Sequence, residues 1–178
     1  MPESNVTHRM LSADFLTLSY RVVGKTMAPN TGVVGMMNDP TTSFMEVLDA
    51  KLARIHMPTK LVAEYEMIDL VKNNIFAVCL SRREDVGPQA LARGGYHNLI
   101  EYSIKLTTQV YELEGKLEWA GRFDFATIMV EGVRDFVPIY DATLTAILIP
   151  QLRIESPAIL FNRRQVDLLG LVSEKKES

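Results

Sequence analysis

The chain has 178 residues, 47% hydrophobic and 23% charged, the balance of one ordinary globular domain or two small ones. A net charge of −3 offers no general attraction to phosphate backbones or anionic membranes, and a single cysteine, Cys79, excludes an internal disulfide framework. No apolar run approaches the ~20 residues of a membrane-spanning helix; IFAVCL, residues 75–80, is among the longest unbroken stretches.

In chain order, MPESNVTHRMLSADF has no apolar core of the kind a signal peptide carries, so a cytoplasmic protein is expected. FLTLSYRVVGK and TGVVGMM then read as a strand pair. FMEVLDAKLARIHMP, residues 44–58, begins a period-two pattern through Leu48, Ala50 and Leu52, and Pro58 ends it because proline lacks the ladder N–H. EMIDLV–KNN–IFAVCL reads as a hairpin, with Asn73 and Asn74 able to accept a left-handed turn. SRREDVGPQALARGGYHN has the proline, paired glycines and mixed charge of a linker, with room for one short helix over PQALAR.

Beyond the linker the pattern returns. IKLTTQVYELEGKLEWA and RFDFATIMV read as a second strand pair, FVPIYDATLTAILIP as a strand ended by Pro150, and AILF–NRRQ–VDLLGLV as a second hairpin. The tail SEKKES is expected to fray. FMEVLDAKLARIHMP and FVPIYDATLTAILIP share six of fifteen residues at an offset of 92: Phe44/Phe136, Asp49/Asp141, Ala50/Ala142, Leu52/Leu144, Ile55/Ile147 and Pro58/Pro150. At an offset of 91, Tyr20, Gly24 and Lys25 meet Tyr111, Gly115 and Lys116, and Lys72–Ile75 meet Arg163–Val166. A long period seen twice indicates a duplicated small domain rather than a solenoid. Five short strands per copy predict an all-β fold of two similar small (SH3/Sm-like) barrels in tandem, pseudo-symmetric. The first spans residues 10–81, a linker 82–99, and the second 100–173.

LDAKL at 48–52 and YDATL at 140–144, with the hairpins LVKNNIFAVCL at 70–80 and LFNRRQVDLLGLV at 160–172, resemble the Sm-like (LSm) family. There a strand with an Asp-Ala step precedes a hairpin whose last strand closes the barrel. Residues 100–172 are also similar to a family of uncharacterised bacterial domains with a DFVPIYDATL-type strand and an FNRRQV-type hairpin. That likeness implies a bacterial protein and no known activity. The chain departs from the Sm-like pattern at the RNA contacts. The family's base-contacting asparagine falls at Phe44 and Phe136, and its Arg-Gly hairpin tip falls at Lys72-Asn73 and Asn162-Arg163, without the glycine.

Other candidates are weighed on their own residues. Phe44 and Phe136 can stack on bases, but a phenylalanine opening a strand packs in a core as a rule. Asp49 and Asp141 could pair as acid and base, yet the repeat already explains why two exist, and an Asp beside a small residue serves turns. Lys72, Asn73, Arg163 and Arg164 at the hairpin tips form the candidate ligand or partner surface, with Arg134 and Arg153 near them in the second copy. Arg82, Arg83 and Arg93 sit among Glu84 and Asp85 and read as a solvated surface. His8, His56, His97 and Cys79 share no metal-ligand spacing, so no metal is expected, and Cys79 reads as a buried inert thiol. No nucleophile-elbow, P-loop or dinucleotide motif implies catalysis or a cofactor.

The sequence thus predicts a non-catalytic assembly or binding module. Open strand edges predict a homo-oligomer, a ring of three chains first and a dimer next. Nucleic acid and membrane are not expected partners, and a small-molecule ligand is left open. The alternatives are a nucleic-acid-binding Sm-like protein and an enzyme with paired aspartates where the repeats meet.

Overall fold

A computed structural model describes residues 8–88, 99–131 and 134–173. The helix expected over PQALAR, with Arg93, His97 and the tail beyond Ser173, lies outside the described residues. The first half forms β1 (Arg9–Thr17), β2 (Tyr20–Ala28), α1 (Gly32–Met37), β3 (Phe44–Arg54), β4 (Leu61–Val71) and β5 (Ile75–Leu80). The second forms β6 (Leu99–Thr108), β7 (Tyr111–Ala120), β8 (Phe136–Ala146), β9 (Arg153–Asn162) and β10 (Val166–Leu171).

The fold is all-β, as the sequence predicts, but its strands do not make two separate closed barrels. They form one open antiparallel sheet of ten strands in the order β10-β6-β7-β8-β9-β5-β1-β2-β3-β4. Both halves run as a four-strand meander with the fifth strand returning beside the first. The halves join where β5 pairs with β9, and β4 and β10 are left as the outer edges.

The front strand pair of each half needs correction. FLTLSYRVVGK is not one strand but the turn of a hairpin: Thr17 ends β1, Tyr20 begins β2, and the Thr17 hydroxyl accepts from the Tyr20 amide at 3.1 Å. Thr108 and Tyr111 repeat the device between β6 and β7 at 2.9 Å. TGVVGMM, expected as a strand, contains α1, which buries Val33, Val34 and Met37. Its counterpart in RFDFATIMV is a single π-helical turn over Thr127–Glu131. Short apolar runs satisfy either period, and here packing decided for the helix.

The core is double. One cluster fills the first half around Phe15, Val47 and Val78, and the other fills the second around Leu106, Leu113 and Ile139. The ribbon of β5 and β9 stands between them and supplies both. Val78 and Leu80 of β5, with Ala158 and Leu160 of β9, face the first cluster. Phe76 and Cys79, with Ile159 and Phe161, face the second. A strand covered on both faces has no reason to alternate, which is why all of IFAVCL is apolar and buried. Cys79 belongs to that wall, and burial pushes its thiol pKa well up. Among the described residues, no helix is long and apolar enough to cross a membrane.

The linker also differs from expectation. Arg83–Val86 make a 3-10 turn that buries Asp85, which binds Arg9 and Arg82. Arg83 lies 3.7 Å over the Tyr140 ring and pairs with Glu118, so this run also ties the halves together, while Arg82, Arg83 and Glu84 stay exposed as expected.

Candidate functional site

The Asp-Ala echo has a backbone cause. Asp49 and Asp141 are the only non-glycine residues of positive φ among the described residues, at 48° and 46°. Each sits where the strand register shifts, opposite Gly24 or Gly115. A Cβ at Gly24 would lie 2.9 Å from the Leu48 carbonyl oxygen, and one at Gly115 would lie 2.9 Å from the Ala142 Cβ. Glycine, a residue tolerant of the left-handed region and a small alanine together allow a bulge that bends the strand. The two aspartates line different shallow hollows. Asp49 shares one with Glu64, Tyr65 and Glu66, and Asp141 shares the other with Glu155, Ser156 and Pro157. The fold does not bring them together as an acid–base pair. Among the described residues, no three His, Cys, Asp or Glu side chains converge as metal ligands would.

Among the hairpin-tip residues Lys72 is used by the fold, Asn73 and Arg164 are exposed, and Arg163 has its Nε and Nη1 buried without a hydrogen-bond partner. Lys72 is buried, and its ammonium donates to the carbonyls of Met36 and Asp39 and to the Thr42 hydroxyl at 2.7, 3.3 and 2.7 Å. Desolvation lowers its pKa, while the nearby Asp39 charge acts the other way. The Asn73 carbonyl accepts from Gln165 at 3.0 Å. Arg164 pairs with Asp135 at 2.8 Å, a hydrogen bond that raises its pKa. Arg163 is nine-tenths buried and reaches the same carboxylate at 3.5 Å. A cleft of about 930 Å³ beside α1 is lined by the polar residues His8, Thr31, Asn38, Asp39, Thr42 and Arg134 among apolar side chains. Of these, Asn38, Asp39 and Thr42 are engaged with Phe136, Thr41 and Lys72 respectively.

What the sequence reading did not single out is the surface where the halves meet. Four residue pairs zip β5 to β9, with Ala77, Val78, Cys79 and Leu80 opposite Phe161, Leu160, Ile159 and Ala158. Side chains pin that junction to backbone. Asn38 exchanges two hydrogen bonds with the Phe136 peptide groups, Asn162 donates to the Ile75 carbonyl at 3.0 Å, and Ser156 donates to the Leu80 carbonyl. The Tyr111 hydroxyl donates to the Thr17 carbonyl, and burial pushes its pKa up.

The β5–β9 rows have sequence counterparts on β10 and β4, the outer edges, where half of the corresponding residues are exposed. On β8 and β9 the cross-strand pairs Phe136/Asn162, Pro138/Leu160 and Tyr140/Ala158 lie against the first half. On β3 and β4 the same three rows are Phe44/Val71, Glu46/Asp69 and Leu48/Met67. Phe136 is 2% exposed and Phe44 53%, so the phenylalanine expected in the core is buried in one half only. Val71 and Met67 are exposed as well, as are Leu168 and Leu171 on β10. This face of β3 and β4 is an exposed apolar patch with two carboxylates at its centre.

Against known proteins the chain stands apart: no family model, curated protein or solved structure matches it.

Proposed function

We propose that the protein is a non-catalytic assembly module: two pseudo-symmetric small-barrel halves that associate head to tail with other copies of the chain. The observation that carries this reading is the β5–β9 junction, because the strands corresponding to β5 and β9 are β10 and β4, the two free edges. The chain thus contains one instance of a contact whose two separated sides it also exposes. A contact of that kind is heterologous, and heterologous contacts close into rings when the rotation allows. Three chains carrying six halves are the favoured ring, with a dimer next. The exposed apolar residues Phe44, Met67 and Leu168 at the edges support it. Light scattering on the full chain across a range of concentrations tests the reading. A defined oligomer, with three chains the first expectation, supports it, and a monomer at micromolar concentration overturns it.

A further inference from the structure

The inner junction specifies how an outer seam would be built, and it also marks where that seam differs. Replacing each inner residue by its outer counterpart turns Ala77 opposite Phe161 into Leu168 opposite Leu70. Val78 opposite Leu160 becomes Leu169 opposite Asp69, and Leu80 opposite Ala158 becomes Leu171 opposite Met67. Two of these rows are apolar on both sides. The third is not: Leu160, fully buried with Pro138 as its neighbour on β8, is replaced by Asp69 with Glu46 as its neighbour on β3. Directly opposed like charges destabilise a sheet face by themselves. Covering them with a leucine-bearing strand removes water from two carboxylates at once, which strongly disfavours the doubly charged state.

The polar pins are missing too. The position of Asn162 is taken by Val71, since both immediately precede the 3-10 turn, and that of Ser156 by Tyr65, since both stand opposite the bulge alanine. The seam therefore has apolar material to gain by closing, no side-chain pins at those positions, and a charge pair in the way.

Resting on the self-association reading above, we propose that β4 of one copy accepts β10 of a second copy in the register that sets Leu70 beside Leu168. Glu46 and Asp69 hold this seam open until the pair takes up a proton. The charged groups around Asp69 give no relief. Glu46 faces it from β3, and Lys25 on β2 is turned to Asp49 at 3.6 Å. Lys72, next along from Val71, is spent on the loop after α1. Incoming β10 brings the exposed Asp167, while Lys105 stands behind Gly170 on β6, the row that meets Ile68, which packs on the first half's own core. The sign follows directly. A carboxylate desolvated on assembly has a higher pKa in the assembled state, so protons favour assembly. Association tightens as pH falls through the assembled-state value.

Sedimentation equilibrium on the full chain tests this at about pH 7.5 and about pH 5, and a shift of one pKa unit corresponds to about tenfold in association. The wild type should associate at least about tenfold more tightly at the lower pH. Asp69→Asn with Glu46→Gln, and separately Asp69→Leu, should associate at pH 7.5 as the wild type does at pH 5, with most of the pH dependence gone. A double variant Leu70→Cys with Leu168→Cys should cross-link between chains under oxidation, while Leu70→Cys with Leu169→Cys should not. Wild-type association that ignores pH, or variants that keep the wild-type dependence, overturn the gate while leaving self-association standing. Oligomers that cross-link through Leu70→Cys alone indicate β4 pairing with β4 and overturn the register. Monomers throughout, Asp69→Leu included, overturn both this proposal and the assembly reading beneath it.

Discussion

Asp49 and Asp141 are where the repeat is most visible and where chemistry is most tempting, and backbone geometry accounts for both. A β-branched residue at φ near 48° costs about 1–2 kcal/mol relative to a residue that tolerates that region, and glycine costs nothing there. Asp141→Val should therefore lower unfolding stability by about 1–2 kcal/mol in denaturant titration, and Asp141→Gly should hold it within about 0.5 kcal/mol. If the valine variant were as stable as the glycine one, the bulge would not be what selects aspartate. The facing glycine is the stricter demand. A methyl at Gly115 meets the Tyr140 carbonyl oxygen at 3.0 Å as well as the Ala142 Cβ, so Gly115→Ala should cost about 1–3 kcal/mol in the same measurement. These positions were legible in the sequence as an echo of Gly with Asp-Ala. Their positive φ was not, because nothing in the one-dimensional pattern distinguishes a bulge from an ordinary alternating strand.

Among the elements, the hairpin that ends each half shows how equivalent strands come to serve different ends. Lys72 and Arg163 hold the same place in the two 3-10 turns. Lys72 has become an internal brace that satisfies the Met36 carbonyl in the last turn of α1, which has no basic residue of its own, and the Asp39 carbonyl and Thr42 hydroxyl after it. Lys72→Met keeps the buried stem and removes the charged donor, leaving those acceptors short of partners. About 1.5–3 kcal/mol of stability should be lost in chemical denaturation, and Lys72→Arg should recover part of it. An unchanged midpoint would mean that water replaces the ammonium at no cost. The sequence placed Lys72 at a hairpin tip as part of a candidate ligand or partner surface, and only its packing against α1 and the loop that follows reveals that its ammonium is used within the fold. The strand after Phe44 or Phe136 and the closing hairpin of each half were legible as segments, but the front pair was not. Neither front hairpin marks its turn, because Leu18-Ser19 and Gln109-Val110 carry no glycine or proline.

At the scale of the whole molecule, surface charge bears on nucleic-acid binding and the double core on unfolding. The acidic net charge, the spent lysine at one hairpin tip and the arginines held by Asp135 at the other leave little to attract a phosphate backbone. Oligo-uridine at ~150 mM salt should show no saturable binding in fluorescence anisotropy; tight binding there would revive the Sm-like RNA reading. The shared ribbon has a further consequence. Two domains on a tether unfold separately when each keeps its own core, but here β5 and β9 give alternate faces to both clusters, and neither cluster is complete without the other half's strand. Melting one half strips Val78, Leu80, Ala158 and Leu160, or Phe76, Cys79, Ile159 and Phe161, of their neighbours and exposes the opposite face to water. At about 1.5–3 kcal/mol for each large buried apolar side chain, that coupling is comparable to the whole stability of a small domain. The protein should therefore unfold in one calorimetric transition, with calorimetric and van't Hoff enthalpies equal under conditions where it is monomeric. Asn162→Val, which removes a junction pin, should lower the midpoint of that single transition without splitting it. Two resolved transitions in the wild type would mean that the β5–β9 ribbon joins the halves without making them fold as one.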